Sequence, residues 1–158
     1  MARYRVRAAR SSDSEGFLRL LAALAHFEHL RPPDAGARRR ILRDIFRERR
    51  LGLFVAVEGM RQVGYALYFF SYSSFLARPT LYLEDIFVLE SHREGGIGTA
   101  LFRRCVREAM TRGCGRMEWA VLNWNSKAME FYEKVGAKRL DEWSVYRLTN
   151  RQFRKALG

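Results

Sequence analysis

The chain has 158 residues, 48% of them hydrophobic, enough to bury one core and too few for two domains of ordinary size. Lys and Arg number 29 against 17 Asp and Glu, a formal charge of +12, but the arginines are spread along the chain and no helix-turn-helix, zinc-finger or RNA-binding signature accompanies them, so dedicated nucleic-acid binding is not expected. Cys105 and Cys114 have no histidine at ligand spacing, which argues against a metal site, and with neither a signal-peptide run nor 18 consecutive apolar residues a cytoplasmic protein without a membrane span is expected.

Tyr4 to Arg7 alternates apolar and polar and predicts a half-buried strand. Ser11, Ser12 and Asp13 offer N-caps to an amphipathic helix over about residues 13–29, apolar at Phe17, Leu20, Leu21, Leu24 and Phe27 and stopped by Pro32-Pro33. Ile41, Leu42, Ile45 and Phe46 predict a shorter second helix. Three antiparallel strands follow, from Leu53, from Val63 to Phe70 and from Leu81 to Leu89. A helix then carries Leu101, Phe102, Cys105, Val106 and Ala109 on one face and ends at Gly113 and Gly115. Met117 to Leu122 predicts a strand, Asn125 to Val135 a helix closed by Gly136, and Trp143 to Leu148 a last strand. The order β-α-α-β-β-β-α-β-α-β describes one α/β (α+β) domain over residues 1–158, with helices flanking a mixed, mostly antiparallel sheet.

The segment Arg93-Glu94-Gly95-Gly96-Ile97-Gly98-Thr99 stands where a strand hands over to a helix. Glycines there let backbone N–H groups turn toward a ligand and the helix amino terminus adds partial positive charge, which suits a pyrophosphate; alone, such turns are also common structural punctuation. It is neither a Walker loop, since no Gly-Lys-Ser/Thr follows, nor a dinucleotide fingerprint, since the preceding strand ends an antiparallel run.

Arg93-x-x-Gly96-x-Gly98 after Ile86-Phe87-Val88 resembles the coenzyme A pyrophosphate loop of the GCN5-related N-acetyltransferase (GNAT) superfamily, and Asn125 to Ala137, with Phe131-Tyr132 inside and Gly136-Ala137 at its end, is similar to that superfamily's later helix. Leu24 to Glu28, Tyr68 to Tyr72, Tyr82 to Val88 and Trp124-Asn125 resemble the spermidine/spermine and thialysine acetyltransferase branch. The resemblance implies acetyl-coenzyme A as cosubstrate, held by Phe87, Val88, Arg93, Glu94, Gly95, Gly96, Ile97, Gly98, Thr99, Asn125, Ser126, Phe131 and Lys134. It also implies Tyr132 as general acid, the Val88 N–H as the group polarising the thioester, a homodimer that exchanges carboxy-terminal strands, and Glu28 with Glu84 as amine ligands.

Acetyl transfer to an amine needs a deprotonated amine, a polarised carbonyl and an acid for the departing thiolate. Glu84 is the candidate base. As strand neighbours, Glu84 and Asp85 should face opposite sides of the sheet, so that only one serves a given cleft; a solvated strand edge is the plainer reading of the pair. Asp85 and Trp124 complete the substrate set, and Arg78 is a partner for the carboxylate of a lysine-like amine. The loop Ser73 to Arg78 has no acid, which disfavours spermidine and spermine and leaves a diamine or a lysine-like amino acid. A protein amine and a non-catalytic coenzyme A module are the alternative functions.

Overall fold

The structure is a computed structural model that describes residues 4–158. Among them the chain falls into two compact units, one ending at Ala120 and the other Val121–Gly158.

The first unit is built on a five-stranded sheet, β1 (Tyr4–Ala8), β2 (Gly52–Glu58), β3 (Arg61–Ser73), β4 (Arg78–Val88) and β5 (Arg116–Glu118), ordered as in the sequence. The first four are antiparallel neighbours, whereas β5 runs parallel to β4. A parallel neighbour needs a crossover, and α3 (Ile97–Thr111) supplies it.

Period-two alternation divides the core between the two faces of the sheet. Leu53, Val55 and Val57 of β2 and Tyr65 and Leu67 of β3 pack with Phe17, Leu20 and Leu24 of α1 (Ser14–Phe27) and with Ile45 of α2 (Ala35–Phe46). On the other face Phe54 stacks on Tyr68 at 5.1 Å, beneath α3, whose Leu101, Phe102 and Cys105 are buried. Side chains buried to this degree contribute about 1.5–3 kcal/mol each, against about 0–1 for an exposed ion pair, so these two layers and not the surface charges hold the unit.

One polar group belongs to this framework. Asp13 is 6% exposed and accepts from Arg7 at 2.6 and 2.9 Å, from the Arg10 N–H at 2.7 Å and from Gln62 Nε2 at 3.2 Å. It thereby ties β1, a 3-10 turn at Ser11–Asp13 and β3 together, which is why its side chain does not cap α1 as its place in the sequence suggested. The hydrogen bonds from Arg7 hold its carboxyl below the usual carboxylate range.

Residues 143–148 differ from expectation: they form no strand, with Val145 90% and Tyr146 93% exposed, and the chain instead closes in a short helix, α5 (Phe153–Ala156). An alternating sequence becomes a strand only when a partner edge completes its ladder, and no described strand pairs with this one. No helix among the described residues is long and apolar enough to cross a membrane.

Removing the Asp13 carboxylate strands Arg7 and one backbone N–H. Asp13→Ala is therefore expected to lose about 2–3 kcal/mol in urea denaturation at pH 7. A carboxyl lowered in the fold stabilises above its unfolded pKa and loses that contribution as pH falls through the folded value, so the gap between variant and parent should close in acid.

Candidate active site

The register of β4 against β3 shifts between Leu67 and Tyr68, so that Leu67 faces Asp85 while Tyr68 faces Leu83. Glu84 is thus the extra residue of a β-bulge, and the alternation of β4 changes phase across it. Leu83 lies opposite Tyr68, on the α3 face. Asp85 lies on the α1 face, where its Oδ2 accepts from the Tyr65 hydroxyl at 3.1 Å. The bulge corrects the expectation drawn from an unbroken strand, because Glu84 and Asp85 do not serve opposite faces: the charges of Glu84, Asp85 and Glu28 all act on Tyr65.

Burial dominates the chemistry of this cluster. Tyr65 is fully buried, its ring 5.1 Å from Phe17, and burial together with the Asp85 charge and hydrogen bond pushes its phenol well above the ordinary value, so it remains a donor. Asp85 is pushed up to about 6, first by burial and then by Glu84, against the opposing hydrogen bond from Tyr65. Glu28, at the end of α1, is also raised by burial. Glu28, Glu84 and Asp85 thus all act electrostatically on Tyr65, and burial, followed by the Glu84 charge, is what raises the Asp85 carboxyl.

At its carboxy-terminal end β4 has an open edge. The Leu89 N–H donates to Val63 at 2.9 Å, so Val88, opposite Gly64, turns its own N–H and carbonyl away from β3. On that side β5 pairs only with Thr80, Leu81 and Tyr82. The turn beyond leads into α3, whose N-cap Gly96 is left-handed at φ 81 and provides no side-chain cap, leaving the first-turn N–H groups open to an anion. Glu94 is left-handed as well, at φ 66. Of Gly95, Gly96 and Gly98, only Gly96 has a backbone that demands glycine; a Cβ on either of the others would meet nothing closer than 3.7 Å. The Arg93 Nε donates to the Val88 carbonyl at 3.0 Å and its guanidinium lies 4.7 Å from the Phe27 ring, tying the turn to the end of β4. Phe87 is buried beside Phe27, and Ile97 is buried at the start of α3.

Arg78 does not join these groups. It opens β4 six residues before Glu84, about 20 Å away at the rise of a strand, beyond the reach of one small amino acid held at the bulge. In the second unit, Asn125 caps α4 (Ser126–Lys134), its Oδ1 accepting from the Ala128 N–H at 3.2 Å. Phe131 and Tyr132 lie on α4 with their rings 5.4 Å apart, Trp124 is exposed just before it, and Ser126 and Lys134 are exposed at its two ends. Burial pushes the Tyr132 phenol up to about 12. Burial likewise pushes the Cys105 thiol up to about 12, which removes it as a nucleophile.

Residues 18–137 match the family model described as Acetyltransferase (GNAT) family. The chain belongs to that family. It is 34% identical to the thialysine N-epsilon-acetyltransferase of Mus musculus over 100% of this chain and 99% of that one, and 44% identical over 54% of this chain to the L-ornithine N5-acetyltransferase NATA1 of Arabidopsis thaliana, of which 38% is covered. The solved structure of AAC(6')-Iy in complex with the bisubstrate analogue CoA-S-monomethyl-acetylneamine superposes with TM-score 0.78 at 21% identity, covering 92% and 98% of the two chains. This GNAT protein is accordingly an N-acetyltransferase, with the α/β architecture and branch resemblance expected of it.

The sequence alone does not single out Tyr65. Its signal in the sequence is a phenol inside the apolar run Val63 to Leu67, since a buried tyrosine hydroxyl requires a partner. Keeping Asp85 charged in such surroundings costs the GNAT fold about 2–3 kcal/mol above pH 6, because the carboxyl is raised and the favourable contribution of its protonated form is lost as pH rises through the folded value. Asp85→Asn, which preserves an acceptor for Tyr65, should raise the melting temperature at pH 8 and leave it unchanged at pH 4; equal melting at both pH values would contradict the burial argument.

Proposed function

We propose that this GNAT enzyme transfers acetyl from acetyl-coenzyme A to a primary amine of a small molecule, a lysine-like amino acid or a diamine. The observation that carries the reading is the set of carboxylates Glu28, Glu84 and Asp85 acting on Tyr65 at the β4 bulge. The names of the mouse and Arabidopsis relatives, thialysine and L-ornithine acetyltransferases, both refer to amino acids with a side-chain amine, which favours that class. The acid-free Ser73 to Arg78 loop weighs against spermidine.

In this mechanism Asp85 and Glu28 hold the ammonium form, and Glu84, the exposed member, removes its proton through water. The nitrogen lone pair then forms a bond to the thioester carbonyl carbon, whose oxygen accepts from the Val88 N–H. The carbon–sulfur bond breaks as the oxyanion collapses and the leaving thiolate takes the Tyr132 proton, while the nitrogen, cationic after the attack, returns its second proton through water to the Tyr132 phenolate; the products are the amide and the free thiol, with the first amine proton passing from Glu84 to solvent. The diphosphate of coenzyme A takes the open N–H groups of Gly96 and the first turn of α3. A homodimer, as the branch resemblance implies, would offer residues 143–148 the pairing edge they do not find among the described residues.

Glu84→Gln and Tyr132→Phe should each lower kcat about a hundredfold with an unchanged melting temperature, measured by thiol release with thialysine, a diamine and spermidine in parallel. A turnover number equal to that of the parent would remove the residue from its role, and parity between thialysine and spermidine would remove the substrate preference. A pH profile tests the receptor separately. KM for the amine should climb as pH falls below about 6 and Asp85 is protonated. Tyr65→Phe should move that rise to higher pH, because the lost hydrogen bond favoured the charged carboxylate.

A further inference from the structure

The arginines that look dispersed in the sequence meet on the α3 face. Arg10, Arg49, Arg50, Arg104 and Arg112 line one cleft of about 580 Å³, bounded by the end of β1, the α2–β2 connection, β3 and the carboxy-terminal half of α3. The single carboxylate in its lining, Glu108, is already engaged by Arg104 at 3.5 Å and Arg112 at 3.0 Å. Arg10, Arg49 and Arg50 make no ion pair with any described residue. Gathering five guanidinium groups around one acid raises the local potential and would be unfavourable without a counter-charge.

The floor of the cleft is organised as well as charged. Tyr68 stacks on Phe54 and meets Phe70 edge-on at 5.8 Å, with Arg104 4.2 Å above the Phe54 ring and Arg112 5.7 Å from the Phe70 ring. These rings hold two guanidinium planes in defined orientations. Tyr68 is 7% exposed, lines the cleft, and its hydroxyl has no hydrogen-bond partner among the described residues. Its ring crosses β2 at Gly52, where a Cβ would overlap Tyr68 Cζ, so the glycine is required for the hydroxyl to reach this position. Burial and Glu108 push that phenol up to about 12, so it keeps its proton and can donate. None of these residues belongs to the turn at residues 93–99.

We propose that this cleft is a second anion site, which binds a small molecule carrying several phosphate groups through Arg10, Arg49, Arg50 and the Tyr68 hydroxyl. Phosphate oxygens match the guanidinium fork two at a time and accept from a phenol, and the cavity accommodates a group the size of a triphosphate. The proposal is independent of the acetyl-transfer mechanism.

Titration calorimetry of sodium tripolyphosphate into the whole chain, with and without saturating coenzyme A, tests it. One saturable site should persist in the presence of coenzyme A. Arg49→Gln with Arg50→Gln should weaken it about tenfold or more and Tyr68→Phe several-fold, whereas Arg103→Gln with Arg107→Gln, an equal charge change on exposed positions of α3, should alter it less than about twofold. Loss of the heat when coenzyme A is added would assign the binding to the α3 turn and overturn the proposal. Equal weakening by the two double variants would reduce the cleft to a diffuse field, and equal affinity for citrate would reject phosphate as the ligand.

Discussion

In an unbroken strand, Glu84 and Asp85 would be separated by the sheet itself, each seeing different solvent and different neighbours. The bulge opposite Leu67 and Tyr68 abolishes that separation, and the other features of the carboxylate cluster follow from it. Asp85 comes under α1 with Glu28, Tyr65 acquires an acceptor for a hydroxyl that burial would otherwise leave unsatisfied, and Asp85 is held near the pH at which it changes charge. The two helices and the aromatic layer of Phe17, Tyr65 and Phe87 keep water from relieving this repulsion. A cation beside Asp85 would lower the cost of charging it, so the proposed amine binding and the instability of a charged Asp85 share one electrostatic origin.

The same strand serves a second purpose at its far end. β5 leaves β4 after three residue pairs, and that early departure leaves the backbone of Val88 without a strand partner on that side, next to the uncapped start of α3. Bulge and open edge are six residues or fewer apart on one rigid element, so a displacement of β4 would disturb both. Sites built on strands in this way depend on packing rather than on loop conformation, and the fully buried Leu81 and nearly buried Leu83 fix the strand at their centre.

Most of the fold was legible because hydrophobic spacing speaks directly about one-sided burial. α1 and α3 were marked by apolar residues three and four apart, and β2 to β4 by apolar runs between turn residues. The bulge was not, since Leu83-Glu84-Asp85-Ile86 reads the same with or without a register shift, and only the partner strand decides. Residues 143–148 failed for a related reason: alternation records a capacity to pair, whereas a ladder requires a second strand. The turn at Gly96 was legible from its glycines, although two of the three prove dispensable to the backbone. Arginines at positions 10, 49, 50, 104 and 112 could not be recognised as one group, because their proximity is created by the antiparallel pairing of β1 to β3 and by the crossover that lays α3 over them.

The Arg93 guanidinium has an effect beyond anchoring a turn. By occupying the Val88 carbonyl it leaves the unpaired end of β4 with a donor and no matching acceptor at that residue. A foreign strand seeking to extend the sheet needs both in alternation, and here it meets a cationic side chain where the acceptor should be. The unpaired end of β4 is thereby made a poor template for another polypeptide, a form of protection against aggregation achieved with one side chain.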